Sequence, residues 1–293
     1  MRIALLGLGL IGGSIARALH ERDTSGSRPR IVAWSPTGEG PTAAAGDGVI
    51  DEAVARPEAA IADADLVILA GPAPVCLDQL DRLAGPWRSS LGPDAVITDV
   101  ASTKAAIVAR AGQHGLRFVG GHPMAGRESA GYGAAQADLF EGRPWVIVPG
   151  PADAAAVERV EGVARAVGAQ PQQMDPDEHD AAVAAISQLP LVIAAALVDA
   201  IAGAPDVSRA GWTAASGLAA TGWRDMTRLA RGDVAMGSGM LTTNAGPIAV
   251  RIRDLIAVLD GWLEDLDRRD GPDVDAIDGR LRAARDRLEG EAR

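Results

Sequence analysis

The stretch Ile3-Ala-Leu-Leu-Gly-Leu-Gly-Leu-Ile-Gly-Gly-Ser14 constrains this chain more than any other. Four apolar residues, Ile3 to Leu6, run straight into Gly7, Gly9 and Gly12 at G-x-G-x-x-G spacing, and Ile11 to His20 reads as the helix that follows. A buried strand, a tight turn and a helix satisfy that pattern. Gly7 serves the turn, Gly9 lets the backbone approach a pyrophosphate, and Gly12 lets the helix pack close to the strand. The helix start then offers unpaired N–H groups and a positive dipole end to the phosphates. Gly7, Leu8, Gly9, Leu10, Ile11 and Gly12 are therefore the candidate dinucleotide cradle.

Composition narrows the class. A chain of 293 residues suffices for two cores, and 47% hydrophobic content is that of a globular protein. The net charge of −11 argues against nucleic acid as a partner, while leaving room for a small anionic substrate held by a local arginine. Cys76 is the only cysteine, so there is no intramolecular disulfide framework, as a reducing cytoplasm favours. Histidines 20, 114, 122 and 179 are scattered and have no zinc spacing. The apolar start contains the glycine motif and does not read as a signal peptide. No uninterrupted apolar run reaches the length of a membrane span, so a cytoplasmic chain without a membrane partner is expected. Basic charge is carried almost wholly by arginine, and Lys104 is the only lysine. A lysine surviving that bias marks a site where a compact ammonium cannot be exchanged for a planar fork.

The first half alternates short apolar runs with helical segments. Strands are expected at Ile3–Leu6, Arg30–Trp34, Asp65–Ala70, Ala95–Asp99, Arg117–Gly120 and Trp145–Val148, with a last edge strand at Gln170–Met174. Residues 36–48 read as a Gly/Pro/Thr-rich loop and 52–62 as a helix or connector. Such alternation predicts a mainly parallel sheet with helices on both faces. After Asp175 nothing reads as a strand. Pro176 opens a long Ala-rich helix to about Ile201, kinked at Pro190, and further helices are expected over 209–220, 222–231, 244–269 and 273–291. The boundary therefore falls near 175, giving domains 1–175 and 176–293.

Two segments carry candidate chemistry. Asp99-Val-Ala-Ser-Thr-Lys104 lies at the C-terminal end of an expected strand, the edge where ligands bind in an open α/β sheet. Gly120-Gly-His-Pro-Met-Ala-Gly126 follows the next strand and brings His122 to the same edge.

With Gly-Leu-Gly-Leu-Ile-Gly-Gly-Ser at the start, Glu128 and Gly131 after His122, and Arg224-Asp-x-Thr-Arg228 in the second half, the chain resembles the prephenate/arogenate dehydrogenase family from residue 3 to at least 250. The resemblance implies an N-terminal Rossmann domain followed by an all-α dimerisation domain, and a homodimer. It also implies oxidative decarboxylation of prephenate to 4-hydroxyphenylpyruvate, or of arogenate to tyrosine. In that chemistry a neutral imidazole, His122, assists loss of the C4 hydroxyl proton while hydride passes to the nicotinamide and carbon dioxide departs. Ser102 is expected to hydrogen-bond His122, the hydroxyl and the nicotinamide region, and Lys104 to lie behind it, adding positive potential for a dianion. Arg228 is the expected clamp on the ring carboxylate. Arg224 is expected in a salt bridge, and His179-Asp180 in a structural hydrogen bond.

Two departures stand out. Many relatives carry Ser-His-Leu-Pro-His where this chain has Ser187-Gln188-Leu189-Pro190-Leu191. Gln188 keeps hydrogen-bonding capacity as a substrate contact, but Leu191 does not, which leaves arogenate open beside prephenate. The acidic residue expected about twenty positions after the glycine motif to bind the ribose is Ser35. Ser35 and Thr37 are candidate contacts for a 2′-phosphate, so the cofactor expectation is NADP or NAD with a slight lean to NADP. Neither a fused chorismate mutase nor a C-terminal ACT domain is apparent, so little tyrosine inhibition through an appended domain is expected. A β-hydroxyacid dehydrogenase would want a catalytic lysine in the helical half, which has none. A non-catalytic dinucleotide sensor is the other alternative, and the intact Ser102, His122 and Arg228 argue against it.

Overall fold

The apolar runs of the first half assemble one eight-stranded sheet in the computed structural model, which describes residues 1–22, 26, 28–127, 129–150, 152–203 and 212–291. The strands are β1 (Arg2–Leu6), β2 (Arg30–Trp34), β3 (Glu52–Ala53), β4 (Leu66–Leu69), β5 (Val96–Asp99), β6 (Phe118–Pro123), β7 (Pro144–Val148) and β8 (Gln170–Gln173). Their order is β3-β2-β1-β4-β5-β6-β7-β8. Every neighbouring pair is parallel except β6 with β7. Ile3 and Leu5 face one core and Ala4 and Leu6 the other, so β1 is buried on both sides. Double burial is what selects near-continuous apolar runs over alternating ones. The chain moves from β1 outward to β3, then returns to β4 on β1's other side, leaving a crevice at the C-terminal ends of β1 and β4.

Helices α1 (Leu10–Glu21), α2 (Glu39–Gly46), α3 (Pro57–Ile61), α4 (Ala73–Ala84), α5 (Ala105–Gln113) and α6 (Ala154–Ala166) link the strands. The sequence pattern leaves 36–48 as loop, yet α2 forms there. Pro41 falls in its first turn, where a missing N–H costs no helical bond. Residues 52–62 divide into β3 and α3 rather than forming one helix.

The second half continues as α7 (Pro176–Val183), a π-helical turn over Ala184–Gln188, α8 (Leu189–Val198) and a second π turn over Asp199–Gly203. The break comes just before Pro190 because the proline ring would collide with the carbonyl four residues earlier, and a widened turn relieves that clash. Then come α9 (Trp212–Ser216), α10 (Thr221–Thr227), a 3₁₀ turn over Arg228–Arg231, α11 (Val234–Thr243), α12 (Ala245–Leu266) and α13 (Val274–Glu291). Of the helix expected over 209–220, residues 209–211 lie outside the described residues, as does Glu128. Helix α11 is not anticipated by the sequence pattern, because glycines 237 and 239 read as breakers. Gly239 is needed there: a Cβ would lie 2.8 Å from Pro74 Cδ, where α11 packs on the start of α4.

By compactness the chain divides into Met1–Ala245 and Gly246–Arg293, so α7–α11 belong to the same unit as the sheet. The boundary near 175 marks the end of the strands. In the second unit, Asp265 accepts from Arg280 Nε at 2.6 Å and Arg268 pairs with Asp273 at 2.8 Å. The helical run Pro176–Gly203 is long and apolar enough, by length and composition, to cross a bilayer. The run is interrupted by His179, Asp180 and Gln188, so it does not contradict the expectation that no uninterrupted apolar run reaches the length of a span. Those three residues are buried within the first unit.

Candidate active site

The cradle begins at the β1 turn. Gly7 has φ +114°, and a Cβ there would lie 2.7 Å from the Ala70 carbonyl oxygen. A Cβ at Gly12 would lie 2.3 Å from the Gly7 carbonyl oxygen, so α1 can approach the turn only as glycine. Nothing lies within 4 Å of a Cβ placed on Gly9, which leaves the space over the turn open. The first turn of α1 carries no acidic side chain and Gly9 caps it without a side-chain hydrogen bond, so its N–H groups remain for an anion. The residues present therefore fit a dinucleotide pyrophosphate. Ser35 Oγ accepts from Gly38 N–H at 3.2 Å and Thr37 Oγ1 from Glu39 N–H at 3.4 Å, and each hydroxyl keeps its own proton to donate. Gly12→Ala is expected to weaken dinucleotide binding about tenfold or more through the forced separation of α1 and the turn. Quenching of reduced-cofactor fluorescence measures it.

The catalytic edge lies at β5 and β6. His122, near the end of β6, is 9% exposed. Its Nδ1 meets His179 Nε2 at 2.8 Å, and His179 Nδ1 meets Asp180 Oδ1 at 2.8 Å. The network assigns the tautomers. Asp180 Oδ1 also accepts from Lys104 N–H at 2.7 Å and Oδ2 from Ala105 N–H at 2.9 Å, so the carboxylate acts throughout as an acceptor at the N-terminus of α5. His179 Nδ1–H must then donate to it, His179 Nε2 accepts from His122 Nδ1–H, and the lone pair of His122 falls on Nε2. Burial, then the neighbouring His179 and the Lys104 charge, hold the His122 pKa well below its ordinary 6.5. The imidazole is thus kept neutral with a free acceptor nitrogen. His179 and Asp180, read from sequence as structural, are part of this relay. The only sequence signal for it was their adjacency.

Two expectations need correction. Lys104 is fully buried: its ammonium pairs with the Asp99 carboxylate and donates to the Gly121 carbonyl at 2.8 Å. It is committed inside the sheet rather than to substrate. Asp99 Oδ1 accepts from Gly121 N–H at 3.1 Å, so the pair holds both polar groups of the residue preceding His122. Ser102 is half-buried on the β5–α5 turn at the same edge. It makes no hydrogen bond to His122, whose partner is His179.

The helical residues come in along the α7–α8 run. Gln188 is 1% exposed, with Oε1 accepting from Asn244 Nδ2 at 2.7 Å. Asn244 Nδ2 also donates to the Asp180 carbonyl at 2.8 Å, which fixes both amide orientations and leaves Gln188 Nε2 without a partner among the described residues. Asn244, the C-cap of α11, stands in the sequence only as the first residue of the helix expected over 244–269, with no motif to mark it. Arg228 opens the 3₁₀ turn that packs against α8, and its side chain is exposed. Leu191, half-buried, lies beside Gly237 of α11. Arg224 is exposed and makes no ion pair among the described residues, contrary to the salt bridge expected of it.

A neutral base on the same sheet edge as a dinucleotide cradle is the equipment of a nicotinamide-dependent dehydrogenase, the class this fold and site define. Residues 15–172 match the family described as "Prephenate dehydrogenase, nucleotide-binding domain", and residues 175–276 match "Prephenate dehydrogenase, dimerization domain". The chain belongs to the prephenate dehydrogenase family. It is 34% identical over 270 residues to prephenate dehydrogenase of Bacillus subtilis (91% of this chain, 68% of the relative). It is 30% identical to cyclohexadienyl dehydrogenase of Zymomonas mobilis (90% of this chain, 85% of the relative). Among solved structures, prephenate dehydrogenase from A. aeolicus in complex with hydroxyphenyl propionate and NAD+ superposes with TM-score 0.84 at 26% identity, covering 99% of this chain and 98% of the other. Synechocystis arogenate dehydrogenase superposes with TM-score 0.77 at 30% identity, covering 98% and 100%.

Proposed function

We propose that, in the NAD(P)-dependent oxidative decarboxylation of prephenate or arogenate that this chain carries out, His122 is the base that takes the ring hydroxyl proton. The observation that carries this reading is the Asp180–His179–His122 relay, which leaves Nε2 of a neutral imidazole as acceptor. When bound, the nicotinamide receives the hydride from ring C4. The hydroxyl proton goes to His122 Nε2, and the electron pair of the C1–carboxylate bond enters the ring as carbon dioxide leaves. Ser102 donates toward the hydroxyl oxygen from the β5–α5 turn. The unpartnered Nε2–H of Gln188 supports a contact to an acceptor on the substrate side chain.

Arg228 holds the ring carboxylate and so orients C4. Arg228→Ala is expected to raise KM about ten- to hundredfold, the strength of a charge-assisted hydrogen bond, with a much smaller change in kcat. Steady-state kinetics measure it, and equal loss of kcat at unchanged KM would refute the role.

The uncharged Ser35 supports a preference for NADP over NAD. Leu191 offers no polar group to tell a keto from an ammonium group, which supports turnover of both substrates. Domain 176–293 carries the dimer contacts: Ile186, Leu218 and Val234 in the first unit and Ile256, Leu259 and Leu263 in the second are all exposed. The lone thiol of Cys76, buried and pushed up to about 12, suits a reducing cytoplasm. Assays with prephenate and arogenate, each with NAD+ and NADP+, test the reading directly. No turnover with any pair would reject it.

A further inference from the structure

We propose that the end of α11, Thr243 with its cap Asn244, is the positioning element that holds both Ser102 and Gln188 in place for the substrate. The inference rests on the roles given to Ser102 and Gln188 above, and assigns what fixes them. Ser102 needs such a holder. Its hydroxyl makes no hydrogen bond among the described residues, so the direction it faces follows from the backbone of the β5–α5 turn. The next residue, Thr103, is fully buried, and its Oγ1 lies 2.8 Å from Thr243 Oγ1. Thr243 spends its own proton on the Gly239 carbonyl at 2.7 Å, so Thr103 donates and Thr243 accepts. Gly239 is also the residue seated against Pro74, where α11 packs on α4. The turn that bears Ser102 is thereby tied to an anchored helix.

Asn244, 3% exposed, spends both Nδ2 hydrogens, on Gln188 Oε1 and on the Asp180 carbonyl. The bonds close a ring. The Asp180 carboxylate accepts from the N–H groups of Lys104 and Ala105, and Thr103 just before them donates to Thr243, the neighbour of Asn244. Four contacts between residues 64 to 140 positions apart therefore hold the turn, α7 and the end of α11 in one register. Breaking one of them leaves a buried polar group unpaired, which costs more than the bond contributes. The ring then relaxes at the groups it was holding, and a displacement of about 1 Å can cost roughly a hundredfold in rate.

Steady-state kinetics on two double-mutant cycles test this, because a residue that acts through another has no effect once that other is removed. Thr243→Val keeps the shape of the side chain and strands the Thr103 hydroxyl. It is expected to lower kcat about tenfold in the wild-type background and less than about twofold in Ser102→Ala. Thr243→Ser keeps the acceptor and should restore most of the rate. Thr103→Val breaks the same bond while Thr243 stays on Gly239, and should repeat the result where Thr243→Val does not fold. Asn244→Ala is expected to raise KM about five- to tenfold with a smaller change in kcat, and to leave KM unchanged in Gln188→Ala. Asn244→Leu, of similar volume and without donors, is the second variant there. Losses that add in either cycle overturn the inference. So do wild-type kinetics in Thr243→Val and Asn244→Ala beside impaired Ser102→Ala and Gln188→Ala, an outcome that leaves the active site standing. Wild-type kinetics in Ser102→Ala and Gln188→Ala would instead reject the roles given above, and the inference with them.

Discussion

His122→Asn is expected to lower kcat by about two to four orders of magnitude, the usual contribution of a positioned general base, with KM for the substrate little changed. Asparagine can still hydrogen-bond His179, so the loss reports proton transfer rather than collapse of the relay. A kcat within tenfold of wild type would remove His122 from the chemistry. The pH dependence carries an independent sign. The base works as the neutral imidazole, and burial, His179 and Lys104 push the His122 pKa well below 6.5. Protonation therefore waits for lower pH than in an ordinary histidine. The kcat of wild type should stay flat through neutrality, with its acid limb below 6.5, and that limb should vanish in His122→Asn. Folding follows the same logic. Between the depressed pKa and 6.5 the unfolded chain binds a proton at this histidine that the native state does not, so stability there rises with pH and is lost on acidification.

Much of this site was legible in the sequence because short-range rules govern it. The glycine spacing after Ile3–Leu6 fixes a turn whose sterics admit no Cβ at Gly12. The run of buried strands identifies a parallel sheet, and a strand-end His122 follows from Gly120-Gly121-His122-Pro123. Long-range partners were not legible. Asp180 binds the N–H groups of Lys104 and Ala105, which lie 76 and 75 positions away, and Asn244 reaches Gln188 across 56. No periodicity encodes such pairings. The halves also meet through close packing, as where Gly239 of α11 approaches Pro74, and a glycine that serves such an approach reads from sequence as a break. Lys104 shows the limit most directly. Its singularity among arginines falls on a position where the ammonium is fully buried and paired. Where that ammonium points depends on Asp99 and Gly121.

That burial makes Lys104→Met the change with the largest expected effect on stability. Removing the ammonium strands the Asp99 carboxylate, itself fully buried, and leaves the Gly121 carbonyl without its donor. Breaking a buried ion pair from one side costs about 3–5 kcal/mol. For a unit of this size that is a fall in Tm on the order of 10 °C, to be read at fixed protein concentration. Asp99→Asn added to Lys104→Met should recover much of the loss, since the stranded charge is then gone and an amide oxygen can still accept from Gly121 N–H. Lys104→Arg should also destabilise: Gly120 already packs so closely that a Cβ there would lie 3.2 Å from Lys104 Cδ, leaving no room for a planar fork. If Lys104 instead served the substrate dianion from a solvent-connected site, Lys104→Met would raise KM and leave Tm within a few degrees. Thermal unfolding of the three variants beside their KM values distinguishes a residue that builds the β5–β6 edge from one that binds at it.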